Sequence, residues 1–181
     1  VARNASVSLS NRGTARGAQL VGAVPNGETA DTNIYAIVAG ISDYAGEQLR
    51  LNYAAKDAED FAKALEIGAV KYLNDPKKVH IRLLTSNSDR TAARFSVPDA
   101  KTYSAAKADI ERAFEDFKGA TSKDVFIVYL AGHGVALYTG NTPNAPSGST
   151  YLYLTQEATT ADASTLRLDN SRRAMTVSGD E

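Results

Sequence analysis

The residue of this sequence best suited to chemistry is His133, which stands between Gly132 and Gly134. Residues 125–130 are six apolar residues in a row, and we interpret them as a strand buried on both faces. A parallel strand that ends in a polar residue commonly presents chemistry at the carboxyl edge of an α/β sheet. The flanking glycines permit unusual backbone angles and leave the imidazole unshielded, and the Gly134 N–H is suited to an oxyanion donor.

A histidine beside such an amide suits acyl transfer, which also requires a nucleophile. The sequence contains no cysteine, and no serine lies in a Gly-x-Ser-x-Gly elbow. Residues 132–137 have the first two glycines of a dinucleotide fingerprint, but leucine occupies the sixth position and no helix is predicted to follow. On pattern alone, a single histidine after a strand is more often structural than catalytic, so both interpretations stay open at this point.

Hydrophobic patterns predict the elements that would position this histidine. Residues 34–41 form a second continuous apolar run, which predicts another central strand. Residues 79–84 alternate in part and predict a strand with one less-buried face. Apolar residues at helical spacing predict helices over residues 52–67 and 102–118. The alternation of strands and helices predicts an α/β domain with a largely parallel sheet and helices on its faces.

Local signals predict where these elements end. Asn52 and Thr102 are the expected N-caps of the two helices, and Gly68 is expected to end the first. Residues 85–101 and 135–150 are polar and are predicted to be loops, the second of them beside the candidate site.

The two ends of the chain differ from its middle. Residues 1–33 contain turn sequences and three arginines, and we expect an arm or linker that precedes a domain over residues 34–181. Residues 151–154 predict a short strand. Ser178 would then cap a further helix, so we expect the sequence to be part of a longer protein.

Composition restricts the classes of partner and cofactor. The formal net charge of -1 provides no field for nucleic acid or for an acidic membrane surface. No run of apolar residues is long enough to span a membrane, and no signal peptide is recognisable, so we expect a cytoplasmic protein. With two histidines and no cysteine, we expect no metal site, and no motif indicates a cofactor.

Three segments in order resemble the caspase–metacaspase superfamily of cysteine peptidases: residues 34–44, residues 51–58 and residues 128–134. They are similar to the first strand, the first helix and the histidine-bearing strand of that fold. The resemblance covers residues 34–181 in arrangement. It implies a three-layer α/β/α sandwich with a mostly parallel central sheet, incomplete at the C-terminus.

The resemblance also implies roles for individual residues. His133 would be the histidine of a His–Cys dyad, and the Gly134 amide would help to form the oxyanion hole. The family's cysteine lies at the end of the next strand, and residues 177–181 are similar to the segment that opens the preceding helix. We therefore expect the C-terminal fragment of the same precursor, with the catalytic cysteine, to be the partner of this chain.

Substrate preference follows from the same resemblance. The pattern of Leu51 and Asp57 is similar to metacaspases, in which the corresponding acid helps to line a pocket for Arg or Lys. A carboxylate selects a cationic side chain through a charge-assisted hydrogen bond. A first-turn acid that stabilises the helix dipole is an equally open interpretation of Asp57. Residues 135–156 contain no acid, which argues against calcium dependence.

The sequence thus predicts an endopeptidase that cleaves protein or peptide substrates after Arg or Lys and undergoes autoprocessing. This chain would supply its histidine but lack its cysteine. Two alternatives remain: a catalytically inactive caspase-like scaffold or regulatory module, and an unrelated α/β ligand-binding domain.

Overall fold

A computed structural model describes residues 31–91, 93–138 and 149–178. Most of the expected N-terminal arm therefore lies outside the described residues. The same holds for residues 179–181, where the sequence predicts the start of a helix, and for most of the loop predicted before residue 150.

The centre of the fold is a four-stranded parallel sheet, in agreement with the predicted α/β class. Its strands are β1 (Ile34–Gly40), β2 (Val79–Thr85), β3 (Asp99–Ser104) and β4 (Val125–Ala131), and their order across the sheet is β3-β2-β1-β4. β1 pairs with both β2 and β4 over its whole length, so the two strands with the longest apolar runs are neighbours.

Helices cover both faces of this sheet. On β1, Ala36 and Val38 lie in the core cluster that includes residues of α1 (Ala54–Leu73). Ile37 lies in the opposite cluster, which includes residues of α2 (Lys107–Asp116). Because successive side chains of a strand point to opposite faces, β1 lies between the layer that contains α1 and the layer that contains α2. The expected three-layer α/β/α sandwich is confirmed.

A second, antiparallel sheet follows in the chain. It consists of β5 (Gly134–Tyr138), β6 (Ser149–Leu154) and β7 (Thr176–Ser178), in the order β5-β6-β7. Two short helices, α3 (Ala163–Leu166) and α4 (Asp169–Met175), connect β6 to β7. Buried residues of this sheet belong to the same core cluster as α2. The short strand predicted over residues 151–154 is confirmed as part of β6.

The predicted burial of β4 on both faces is wrong for the described chain. Val125, Val128 and Leu130 are each exposed by about two fifths of their surface, at 42%, 43% and 39%. The cause is position, since β4 stands at the edge of the sheet and no described strand pairs with its outer side. A continuous apolar run predicts that a strand is covered by other parts of the fold. It does not reveal whether the covering elements belong to the described residues.

The first helix differs from the prediction at both ends. It begins at Ala54 with Tyr53 as its N-cap residue, so Asn52 does not cap it. Gly68 lies inside the helix, which continues to Leu73. The helix ends at Asn74, whose φ of 52° is left-handed. Asparagine is among the few residues that visit this conformation readily, which explains why it ends the helix.

Three further corrections concern polar segments. Thr102 lies in β3 instead of capping a helix, and α2 begins only at Lys107. The loops predicted over residues 85–101 and 135–150 overlap strands at β3 and at β5 and β6. Ser178 lies in β7, where a helix start was predicted. β3 and β7 carry mixed side chains at sheet edges, so the pairing that defines these two strands leaves little hydrophobic pattern.

Candidate active site

His133 lies at the junction of the two sheets, between the end of β4 and the start of β5. Its position at the carboxyl edge of the parallel sheet agrees with the sequence prediction. The start of β4 is fixed by Asp124, which accepts hydrogen bonds from the side chain of Asn33 and from the Thr121 N–H. These bonds hold the pKa of Asp124 well below its usual range. The strand that delivers His133 is therefore anchored at its opposite end.

The half-buried imidazole of His133 has a fixed orientation. Its Nε2 atom lies 2.9 Å from the carbonyl oxygen of Leu49, in the turn between β1 and α1. Because a carbonyl oxygen only accepts hydrogen bonds, Nε2 is the nitrogen that carries the proton. In the neutral ring, Nδ1 is then unprotonated and can accept a proton. The geometry thus sets the tautomer that a general base requires.

Tyr44 supports His133 from the side of β1. The backbone N–H of His133 donates a hydrogen bond of 2.9 Å to Tyr44 Oη, and the two rings lie 5.3 Å apart. Burial raises the pKa of Tyr44, and the His133 N–H bond lowers it by a smaller amount. Sequence reasoning did not single out Tyr44. Its position in the turn after β1, beside the strand that ends at His133, could have indicated this role.

The glycines beside His133 lie against tyrosine side chains. A Cβ atom on Gly132 would lie 2.7 Å from Tyr44 Oη. A Cβ atom on Gly134 would lie 2.0 Å from Tyr151 Oη. A side chain at either position would displace a tyrosine hydroxyl group. Gly132 has the unusual backbone angle expected of it, with a φ of 157°, and a tyrosine hydroxyl group occupies the space beside each glycine.

The Gly134 N–H points away from β6. Leu154 N–H donates to the His133 carbonyl oxygen at 3.0 Å, so a ladder hydrogen bond joins the two strands at this position, while the His133 N–H donates to Tyr44 instead. Hydrogen-bonded positions of an antiparallel ladder alternate with non-hydrogen-bonded pairs, and the next pair is Gly134 with Tyr153. β5 is the outer strand of its sheet, so this amide faces the outside of the described fold.

Asp57 lies at the same edge of the parallel sheet. It is exposed in the first turn of α1. A Cβ atom on Gly40 would lie 2.3 Å from the carbonyl oxygen of Ala54, so this turn packs directly on the end of β1. Gly40 is in turn the register partner of Ala131, the last residue of β4. No described contact joins Asp57 to His133, so both interpretations of Asp57 remain.

The turn between β1 and α1 also contains Leu51 and Arg50. Leu51 is half-buried and packs against the core cluster on the α2 side. The Arg50 guanidinium lies 3.3 Å from the Asp43 carboxylate, on the exposed surface. A basic residue adjacent to the predicted pocket is thus already paired with an acid.

Within the described residues, no group of three or more histidine, cysteine, aspartate or glutamate side chains is arranged to hold a metal ion. None of the described helices is long and apolar enough to cross a membrane.

The sequence was also matched to a known protein family. The sequence model of the caspase domain, a peptidase family, matches residues 34–176. This range includes all the strands of the parallel sheet, His133 and nearly all of the second sheet. No curated protein matches the sequence.

Proposed function

The chain belongs to the caspase domain family of peptidases, and on that premise we propose that it supplies the base of a His–Cys dyad. The whole protein would be a cysteine endopeptidase that cleaves after Arg or Lys. The observation that carries the proposal is the bond between His133 Nε2 and the Leu49 carbonyl oxygen, because it leaves Nδ1 as the proton acceptor.

The reaction follows from these positions. Nδ1 of His133 takes the proton of a cysteine thiol, and the thiolate sulfur attacks the carbonyl carbon of the scissile peptide. The carbonyl oxygen becomes an oxyanion and accepts a hydrogen bond from the outward-facing Gly134 N–H. Collapse breaks the C–N bond, and the imidazolium returns its proton to the leaving amine. Water, deprotonated by the same nitrogen, then hydrolyses the thioester and regenerates the thiol.

The cysteine would come from the C-terminal fragment of the same precursor. The support is the outer side of β4. Val125 N–H donates to Asn33, and the Ala131 carbonyl oxygen accepts from Ile41, so odd-numbered residues of β4 bond toward β1. The backbone groups of Phe126, Val128 and Leu130 therefore face outward, where a further strand would pair.

That further strand would also place the nucleophile. A strand parallel to β4 would end at the same edge of the sheet as β4, beside His133. The apolar side chains that β4 exposes, Phe126, Val128 and Leu130, would then be covered. Both the backbone pattern and the exposed apolar surface of β4 support the same arrangement.

Asp57 would select the substrate side chain. Its carboxylate is exposed at the edge of the sheet where the reaction takes place. A carboxylate there would bind a guanidinium or ammonium group at the residue before the scissile bond.

The test is a peptidase assay on a protein that contains this chain and the segment following it. We expect cleavage after Arg and Lys, and a loss of about 10²- to 10⁴-fold in kcat/KM for His133→Ala, the range for a general base. His80→Ala is the matched control, because His80 lies on β2 and bonds to Asp99 on β3, and this variant should retain activity. Cleavage mainly after Asp would reject the role of Asp57, and a folded but inactive protein would support the scaffold alternative.

A further inference from the structure

Tyr151 is an exposed aromatic residue directly over the candidate oxyanion site. It lies on β6, two residues before Tyr153, which is the register partner of Gly134. The tyrosine is 55% exposed, yet its hydroxyl oxygen lies 2.0 Å from the position of a Cβ atom on Gly134. The hydroxyl therefore closes tightly over Gly134 while the ring remains open to solvent.

The distance between two donors follows from this contact. The N and Cβ atoms of one residue are about 2.5 Å apart by standard covalent geometry. Tyr151 Oη is therefore at most about 4.5 Å from Gly134 N, given the 2.0 Å contact. Two donors at this separation can both bond one oxygen atom at ordinary lengths of about 2.7–2.9 Å. An oxygen held by the Gly134 N–H thus lies within reach of the Tyr151 hydroxyl.

Two neighbouring tyrosines differ from Tyr151 in one respect. Tyr44 Oη accepts a hydrogen bond from the His133 N–H, and Tyr153 Oη donates one of 3.0 Å to the Ala131 carbonyl oxygen. The Tyr151 hydroxyl makes no hydrogen bond to any residue in the described part of the chain. Of the three hydroxyl groups around the Gly-His-Gly turn, it is the one left for a ligand.

We propose that Tyr151 is a further catalytic residue, whose hydroxyl donates a second hydrogen bond to the oxyanion held by Gly134. The inference rests on the proposed peptidase function. As the thiolate adds to the carbonyl carbon, negative charge develops on the oxygen, and the hydrogen bond from the phenol strengthens with that charge. No proton is transferred from Tyr151, so the hydroxyl serves every turnover unchanged.

The ring of Tyr151 also has a structural role that can be separated from the hydroxyl. An aromatic side chain that covers a glycine on a neighbouring strand stabilises the pair through packing. Phenylalanine keeps this ring and removes only the oxygen. Tyr151→Phe therefore tests the donor without removing the packing. Tyr72→Phe is the matched control, because Tyr72 is also a half-exposed tyrosine but lies on α1.

The experiment measures kinetics in the protein that contains this chain and the nucleophile-bearing segment. For Tyr151→Phe we expect kcat to fall about 10- to 100-fold with KM within twofold, while Tyr72→Phe is unchanged. A peptide aldehyde, whose adduct carries the same oxygen, should lose affinity by the same factor. A peptide amide without a reactive carbonyl should bind both variants equally.

The outcomes separate the two proposals. Activity in the unmodified protein together with unchanged kinetics in Tyr151→Phe would overturn the role of Tyr151 alone. Faster turnover in Tyr151→Phe would also overturn it, because the hydroxyl group would then obstruct the Gly134 amide. An inactive unmodified protein would overturn the peptidase function, and the role of Tyr151 would fall with it.

Discussion

The two edge strands of the parallel sheet, β3 and β4, differ in the side chains that protect their outer sides. At the β3 edge, the Arg82 side chain is 4% exposed and lies 2.9 Å from Asp99 and 2.6 Å from Asp116. Its guanidinium also stacks over the Phe117 ring at 4.5 Å. At the β4 edge, the outward backbone groups have no partner strand among the described residues, and the exposed side chains are apolar.

We call the β3 edge, whose outer side is protected by charged side chains, the closed edge, and the β4 edge, which is free to accept a partner strand, the open edge. Natural proteins protect free edges with charge, short strands or covering elements. The short strand β3 follows this rule, because its Asp99 binds both Arg82 and His80. β4 has seven residues with no charge among them. Its sequence is that of an interior strand, which is why we propose that another strand completes it.

The largest effect on stability is expected at the closed edge. Arg82→Met leaves Asp99 and Asp116 without their shared cation, and we expect the free energy of unfolding to fall by about 2–3 kcal/mol. Urea denaturation of this chain measures the change. Arg94→Met is the control, since the exposed Arg94 bonds only to nearby carbonyl groups, and it should change stability by less than about 0.5 kcal/mol. Equal effects of the two substitutions would remove the basis for calling the β3 edge closed.

A smaller effect is expected at the open edge. Val128→Pro removes an N–H that faces away from β1, so the existing sheet keeps its hydrogen bonds. We expect association with the C-terminal segment to weaken about tenfold, which corresponds to one or two lost backbone interactions. Isothermal titration of the two fragments measures it. Val128→Thr keeps the N–H and the branched shape, and should bind more tightly than Val128→Pro. If both variants bind like the original chain, β4 is not the docking edge.

A fall in pH should reduce the stability that the charged side chains of the closed edge contribute. Burial raises the pKa of Asp99, but hydrogen bonds from His80 and Arg82 outweigh it and hold the pKa below its usual value. Asp99 therefore stabilises the fold above its unfolded pKa of about 3.9, and this stability is lost as pH falls through the lower folded value. Because the carboxylate is partly exposed, we expect less than about 1 kcal/mol.

Denaturation measured from about pH 5 down to about pH 1 tests this expectation. The loss of stability should be shallower in Asp99→Asn than in the unmodified chain. Asp60→Asn, at an exposed pair with Lys56 on α1, is the control. Identical pH profiles for Asp99→Asn and the unmodified chain would show that the charge of Asp99 does not hold the β3 edge.

The smallest effect is expected at Tyr44, which supports His133 at the end of β4. Tyr44→Phe removes the acceptor of the His133 N–H but keeps the ring beside the imidazole. We expect kcat to fall about two- to fivefold, since one neutral hydrogen bond contributes about 0.5–1 kcal/mol. Steady-state kinetics of the longer protein measures it. A full retention of kcat would mean that the Leu49 carbonyl alone orients His133.

Some features were predictable because they are local. Continuous apolar runs indicated β1 and β4, and the strand-end position indicated His133. The other features depend on contacts with residues that are distant in the sequence. The polar sequence of β3 is a strand because of its bonds to β2, and Arg82 is buried because Asp99 and Asp116 meet it from other elements. The tautomer of His133 likewise depends on a carbonyl 84 positions earlier, which no side-chain pattern encodes.

The most direct test of the central claim asks which thiol lies beside His133 at the open edge. A peptidyl-arginine acyloxymethyl ketone is added to the protein that contains this chain and the following segment, and the labelled residue is located by mass spectrometry. We expect one cysteine after Glu181 to be labelled, at least about 100-fold more slowly in His133→Ala. Labelling of no cysteine, or equal rates in both proteins, would contradict the account.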